Sequence, residues 1–217
     1  MKVLILLSVF GVTFSTLVEN VLDAADNLTD VQEAFMKYGL DTKLPHLPPN
    51  KLIVHYDTDI KVNLGTEFDI KTIVQAPNVI FEADPDAHYT LIMIDVDSPT
   101  REKPFFGQLL IWKVVNIPGS KVHKGETVAE YSAHAPWKRG EAHRYVLLLF
   151  KQHHKQVFGD SFQSAFRTFH RRIGFSAVKF SMKYGLGRPI AGNFFQLKAE
   201  GTVGNEIFRH HHLSHHH

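Results

Sequence analysis

Asp95 and Asp97 close an apolar run in the stretch "YTLIMIDVDSPTR", Tyr89–Arg101. A carboxylate at such a place can orient a histidine, exchange a proton or cap a turn. Side chains two apart on a strand share a face, so a strand that continues through Asp97 points both acids into one space. The plainer account has Asp97 forming an Asx-type turn with the following Ser-Pro-Thr, while Asp95 solvates the strand end. A second polar cluster, "YSAHAPWKRGEAHRYVLLLF", shifts the balance toward a site. Its loop holds His134, Pro136, Trp137, Lys138, Arg139 and Gly140, and His143, Arg144 and Tyr145 then lead into an apolar strand. Alternation puts His143 and Tyr145 on one face and Arg144 on the other. A histidine and a tyrosine entering a buried strand need hydrogen-bond partners, and a carboxylate on a neighbouring strand would supply one. The bland alternative is that His143 is a satisfied core histidine.

The elements that must position these residues follow from periodicity. "TDVQEAFMKYG" reads as a short helix, with Thr29 and Gln32 as a capping box and Gly39 as its end. From Lys51 the period changes to two: "KLIVHYD", "KVNLGTEFDI" and "VQAPNVIFEADPDAH" are strand-like, with Gly65 at a turn or bulge. "YTLIMIDV", "QLLIWKVVNIPG" and "HRYVLLLFKQ" are apolar throughout, which predicts strands covered on both faces. "SFQSAFRTFHRR" and "SAVKFSMKYG" turn helical, with Ser176 as a cap for the second, and "GRPIAGNFFQLKAE" returns to strand. The expected body is one mainly β, antiparallel domain with a few peripheral short helices.

The bulk numbers narrow the function classes. The 217 residues, 44% hydrophobic and 21% charged, suit an ordinary soluble domain. A net charge of +2 with no basic, aromatic-interleaved stripe argues against a nucleic-acid partner. Lys2, the apolar run from Val3 to Phe14 and the small residues after it have the form of a secretory signal peptide, with cleavage near Ser15. A short membrane anchor is the alternative, but the run falls short of the roughly 20 apolar residues a span needs. Cysteine is absent, so there is neither a disulfide framework nor a thiolate. Asn27-Leu28-Thr29 is an N-glycosylation sequon. The tail "RHHHLSHHH" is read as a tag or a disordered tail rather than a physiological metal site. The expected division is a signal peptide at 1–15, one domain at 16–205 and a His-rich tail at 206–217.

Four stretches, "YTLIMIDVDSPTR", "VVNIPG", "GEAHRYVLLLFKQ" and "KYGLGRPIAGNFFQ", match in order and spacing those of the phosphatidylethanolamine-binding proteins, which the chain resembles from about Leu40 to Lys198. The resemblance implies a central antiparallel sheet packed on a second, smaller sheet, with a small anion pocket at one end. It places Asp95, Asp97, His143 and Tyr145 in that pocket, with Pro99 at a nearby turn. Three departures stand out. Ile111 occupies the place of a second pocket histidine, Val96 replaces a proline between the acids, and the usual Gly-Pro-Pro of the pocket loop is Ala135-Pro136-Trp137. A tyrosine that some members add near the C-terminus is also missing.

An aspartate beside an anion pocket makes sense if it keeps a histidine protonated and oriented toward the anion. Tyr145 would add a neutral donor. Losing one charge-assisted donor at Ile111 costs about 1.5–3 kcal/mol, which weakens phosphate by roughly 10- to 150-fold. The resulting expectation is a secreted, monomeric, non-catalytic binding protein for phospholipid head groups or small anionic or apolar ligands. Its site is Asp95, Asp97, His143, Tyr145, Ile111 and Pro136, with no cofactor and no metal. The alternative is a surface-loop inhibitor of a secreted protease, acting through "HAPWKRGE". An enzyme is disfavoured, because no Ser or Cys nucleophile lies in a recognisable motif and zinc catalysis needs three protein ligands.

Overall fold

The computed structural model describes residues 28–132, 134, 136, 140–159 and 169–198. The expected signal peptide, the sequon asparagine Asn27, Trp137 and the His-rich tail lie outside the described residues. The strands are β1 (Asn50–Lys51), β2 (Ile53–His55), β3 (Thr66–Asp69), β4 (Asn78–Ile80), β5 (His88–Asp95), β6 (Leu109–Pro118), β7 (Glu126–Ala129), β8 (Ala142–Gln152) and β9 (Ala191–Lys198). The helices are α1 (Asp30–Lys37), α2 (Phe169–Arg172) and α3 (Ala177–Lys183). The main sheet is ordered β1-β9-β8-β5-β6-β7, with β3 also on β9, and β2 with β4 makes a separate small sheet.

Local chemistry fixes both longer helices. Thr29 and Gln32 form the full capping box at the start of α1, and Asp30 and Glu33 sit at the positive end of its dipole. Gly39 at φ +66° lets Leu40 N–H return to Phe35 O and Gly39 N–H to Met36 O, a Schellman end. Ser176 caps α3, and Gly185 at φ +60° closes it by the same pair of bonds, to Ser181 O and Met182 O.

The apolar strands are buried on both faces, as their composition requires. On one face Ile92, Ile94, Val146, Leu148, Phe150 and Phe194 pack against Phe35 of α1 and Phe180 of α3. On the other, Leu91, Met93, Leu147, Leu149 and Phe195 pack beneath Val54 and Val79 of the small sheet. The sheet is mixed rather than wholly antiparallel: β1 and β3 run parallel to β9. Buried Asn193 on β9 explains how these short segments are held. Its amide donates to Leu52 O (2.8 Å) and Val62 O (3.0 Å), and its carbonyl oxygen accepts from Leu64 N (3.0 Å). β7 was not expected from the sequence; it is a short strand at the sheet edge. The helix expected from Ser161 reaches the described residues only as α2. No helix among the described residues is long and apolar enough to cross a membrane.

Asn193→Ala strands three backbone groups in the interior. Urea unfolding of the mature protein should show a loss of about 3 kcal/mol, since each buried group left unpaired costs about 1–3 kcal/mol. A change under about 1 kcal/mol would show that Asn193 does not hold these segments.

Candidate functional site

β5 and β8 run antiparallel, and Asp95 opposite Tyr145 is the last pair of their ladder. Tyr89, Leu91 and Met93 face the small sheet, so alternation sends Asp95 to that side. On β8, Tyr145, Leu147 and Leu149 face the same way, and His143 joins them. The two polar groups meet there: His143 Nδ1 lies 2.8 Å from Asp95 Oδ2. Asp95 is 2% exposed and His143 1%. Asp95 Oδ1 accepts the Asp97 N–H at 2.8 Å. The Asx turn expected at Asp97 is therefore made by Asp95.

Burial lifts the Asp95 carboxyl above its ordinary value, and the His143 contact offsets this only in part. Burial alone would depress the His143 imidazole, but Asp95, with Asp97 and Glu141 behind it, outweighs that and raises it. With Nδ1 committed to Asp95, the remaining ring atom is Nε2. It is buried and has no hydrogen-bond partner among the described residues.

The Asp97 carboxylate takes a different partner. β5 ends at Asp95, so alternation no longer governs the chain at Asp97, in the turn that carries the cis Ser98–Pro99 peptide. Its carboxylate instead meets Arg144, the β8 residue that faces the helices. Arg144 Nη2 donates to Oδ1 (2.6 Å), and its Nε (2.8 Å) and backbone N (2.9 Å) donate to Oδ2. Burial pushes Asp97 up, but these bonds win and hold it below its ordinary value. Arg144 Nη1 also donates to Tyr38 O at the end of α1. Asp97 thus ties the sheet end to a helix through Arg144, while its charge also acts on His143.

Tyr145 lies on the same sheet face as Leu147 and Leu149. It is fully buried, its ring stacks on Phe195 at 5.2 Å, and its hydroxyl donates to His134 O. Burial drives the phenol well above its ordinary value, so it keeps its proton but spends it on the backbone. That bond helps fix the loop, together with Ser132 N–H to Ile111 O (3.0 Å) and Tyr131 O–H to Ile73 O (2.6 Å). His134 Nδ1 donates to Ser132 O at 2.8 Å, and burial pushes its imidazole down to about 4, so it is neutral at pH 7. Ile111 is fully buried on the same sheet face as Tyr145 and adds no polar side chain. Pro136 is buried, whereas Ala135 and Trp137 beside it lie outside the described residues.

Three residues were missed in the sequence. Arg172 is buried and donates to Leu110 O, Ile111 O and Glu130 O at 3.0, 2.9 and 2.7 Å. Burial pushes its guanidinium down to about 10, where it is still charged at pH 7. Arg144 was placed on the correct face but its partner was not foreseen. Glu141, two residues before His143, accepts the Arg101 N–H through Oε1, and its buried Oε2 has no partner among the described residues. Its spacing from His143 was the available signal. No three His, Asp or Glu side chains among the described residues group as metal ligands.

The family profile described as "Phosphatidylethanolamine-binding protein" matches residues 54–195. The chain is 32% identical over 179 residues to the Drosophila melanogaster protein named "Putative odorant-binding protein A5", covering 82% of this chain and 85% of that one. It is 32% identical over 152 residues to a 26 kDa secreted antigen of Toxocara canis, covering 70% of this chain but only 58% of the antigen. Among solved structures, a carboxypeptidase Y inhibitor complexed with its cognate proteinase superposes with a TM-score of 0.64. That likeness covers 81% of this chain and all of the inhibitor, and at 19% identity it speaks for the fold alone.

Asp97→Asn leaves the buried Arg144 charge without its counter-ion. Stability near pH 7 should fall by about 3–5 kcal/mol in chemical denaturation. Because folding lowers the Asp97 value, its contribution is present above the ordinary carboxylate range and is lost as pH falls through the folded value. The gap between wild type and variant should therefore close below about pH 4. A gap that stays constant into acid would contradict the ion pair.

Proposed function

The chain belongs to the phosphatidylethanolamine-binding protein family, and on that premise we propose that it is a secreted, non-catalytic binding protein for ligands with a small polar head, which is seated on His143. The observation that carries this reading is the buried His143 Nε2 without a partner, backed by Asp95 at 2.8 Å. A buried donor left unmade is costly, and a ligand oxygen would satisfy it. In imidazolium form the group donates through Nε2 while Asp95 keeps Nδ1. Tyr145 is committed to His134 O and Ile111 is apolar, so this donor acts with little help. Phosphate alone is then held weakly.

The family relatives named as an odorant-binding protein and a secreted antigen support binding and export. The form of residues 1–15 agrees with export. Inhibition of a secreted protease is the second reading. No contact among the described residues favours it, and much of the loop it would use, including 137–139, lies outside them.

Calorimetric titration with phosphorylethanolamine should show weak binding, with Kd on the order of 1 mM, that disappears in His143→Ala. Since His143 is raised in the folded protein, binding should hold at neutral pH and fade as pH rises through that raised value. Micromolar affinity, or binding that survives His143→Ala, would contradict the proposal.

A further inference from the structure

The end of the main sheet opposite His143 carries a cavity of its own. β5 starts at His88, which pairs with Pro118 at the end of β6 and with Gln152 at the end of β8. Its other end is Asp95, beside Leu109 and Tyr145. From His88 to Asp95 the strand rises roughly 24 Å. At the His88 end, the turn after β6 and the segment before β5 enclose a cavity of about 350 Å³. Small-molecule sites run from about 300 to 1,000 Å³. Pro85 and Pro118 form an apolar wall, and Ser120, Lys121 and Lys124 form a polar one.

Both walls are held by the protein's own hydrogen bonds. On one side Asp84 N–H donates to the Tyr89 hydroxyl (3.0 Å) and Ala87 N–H to Asp84 O (3.1 Å). On the other, Gly119 N–H donates to Ala87 O (3.0 Å), Lys121 N–H to Pro118 O (3.2 Å) and Lys124 N–H to Lys121 O (2.9 Å). Gly119 at φ +54° makes the turn that brings the walls together.

The charge at this cavity has one sign. Lys121 and Lys124 are exposed and make no ion pair among the described residues. The acids nearby are engaged elsewhere: Glu126 pairs with Lys155 (3.6 Å) and Asp84 with Lys151 (3.4 Å). No acidic side chain among the described residues lines the cavity. Two cations on one wall of a concavity draw in an anion. The prolines and the lysine stems offer apolar surface to whatever carries it. A bare anion would leave the proline wall uncovered, and a neutral apolar molecule would leave the lysines unanswered.

We propose that this cavity is a second ligand site, which takes a small organic anion. The apolar body lies against Pro85 and Pro118, and a terminal carboxylate, sulfate or phosphate group meets the Lys121 and Lys124 ammoniums. Lysine acts as a point charge, so the three head groups share one chemistry here. The site lies at the far end of the sheet from His143 and does not depend on it.

The test is an amide NMR titration of nitrogen-15-labelled protein with 2-naphthalenesulfonate. Inorganic sulfate supplies the charge alone and 2-naphthalenemethanol the apolar body alone. The sulfonate should shift the amides of residues 83–87 and 119–124, and His143→Ala should leave its Kd unchanged. It should bind about tenfold tighter than either partial probe, and the double variant Lys121→Gln, Lys124→Gln should lose about that factor, the worth of one charge-assisted hydrogen bond. Both side chains are exposed, and the unperturbed remainder of the amide spectrum checks the fold of the variant. Added salt should weaken the sulfonate as well. Sulfate binding as tightly as the sulfonate, affinity that survives the double variant, or shifts centred on the Asp95 end of β5 would each overturn the site. So would a heparin-type oligosaccharide that moves these amides while the naphthalenesulfonate does not, because the lysines would then serve a polyanion on an open surface.

Discussion

Burying a carboxylate against an imidazole constrains everything around it. Asp95 and His143 are 2.8 Å apart and nearly free of water. Each leftover polar atom of such a pair must find a partner or remain as a cost. Asp95 Oδ1 finds the Asp97 N–H, which forces the chain to turn there. His143 Nε2 finds nothing within the described protein. The interaction that closes the strand therefore also leaves one donor open, and the candidate function grows from that donor.

The neighbouring pair shows the same logic on the opposite face. His143 and Arg144 are adjacent on β8, so they point to opposite sides, and each has its own aspartate. One aspartate holds His143 and the other binds the helix layer through Arg144 and Tyr38 O. Buried ion pairs are weak evidence of stability in themselves, but they are strict about register. A one-residue slip of β8 would exchange the faces of His143 and Arg144 and leave both aspartates mismatched. The two pairs thus specify the alignment of β5 with β8.

Much of this was legible in the sequence, and the misses have physical causes. The capping box of α1 is a local pattern, so Thr29 and Gln32 announced it correctly. Apolar runs without alternation announced strands covered on both faces, and the two core clusters show them. The parallel pairings of β1 and β3 with β9 were not legible, because such short segments leave no periodic trace and are held by a remote side chain, Asn193. The Arg144 partner of Asp97 was not legible, because alternation holds only while the strand lasts and β5 ends at Asp95. The acceptor of the Tyr145 hydroxyl was not legible either, because it is a backbone carbonyl, which no residue type reveals. The meeting of Asp95 with His143 was foreseen through the family resemblance, whereas the orphan oxygen of Glu141 emerged only from three-dimensional packing.

The central claim is that Asp95 keeps His143 as an imidazolium whose Nε2–H has no acceptor among the described residues. Nitrogen-15 NMR of the His143 ring across pH reports the protonation of each nitrogen separately. The account predicts both nitrogens protonated at neutral pH and a midpoint above the ordinary histidine value of about 6.5. A ring that is already neutral at pH 7, with a bare Nε2 and a midpoint below that value, would contradict it.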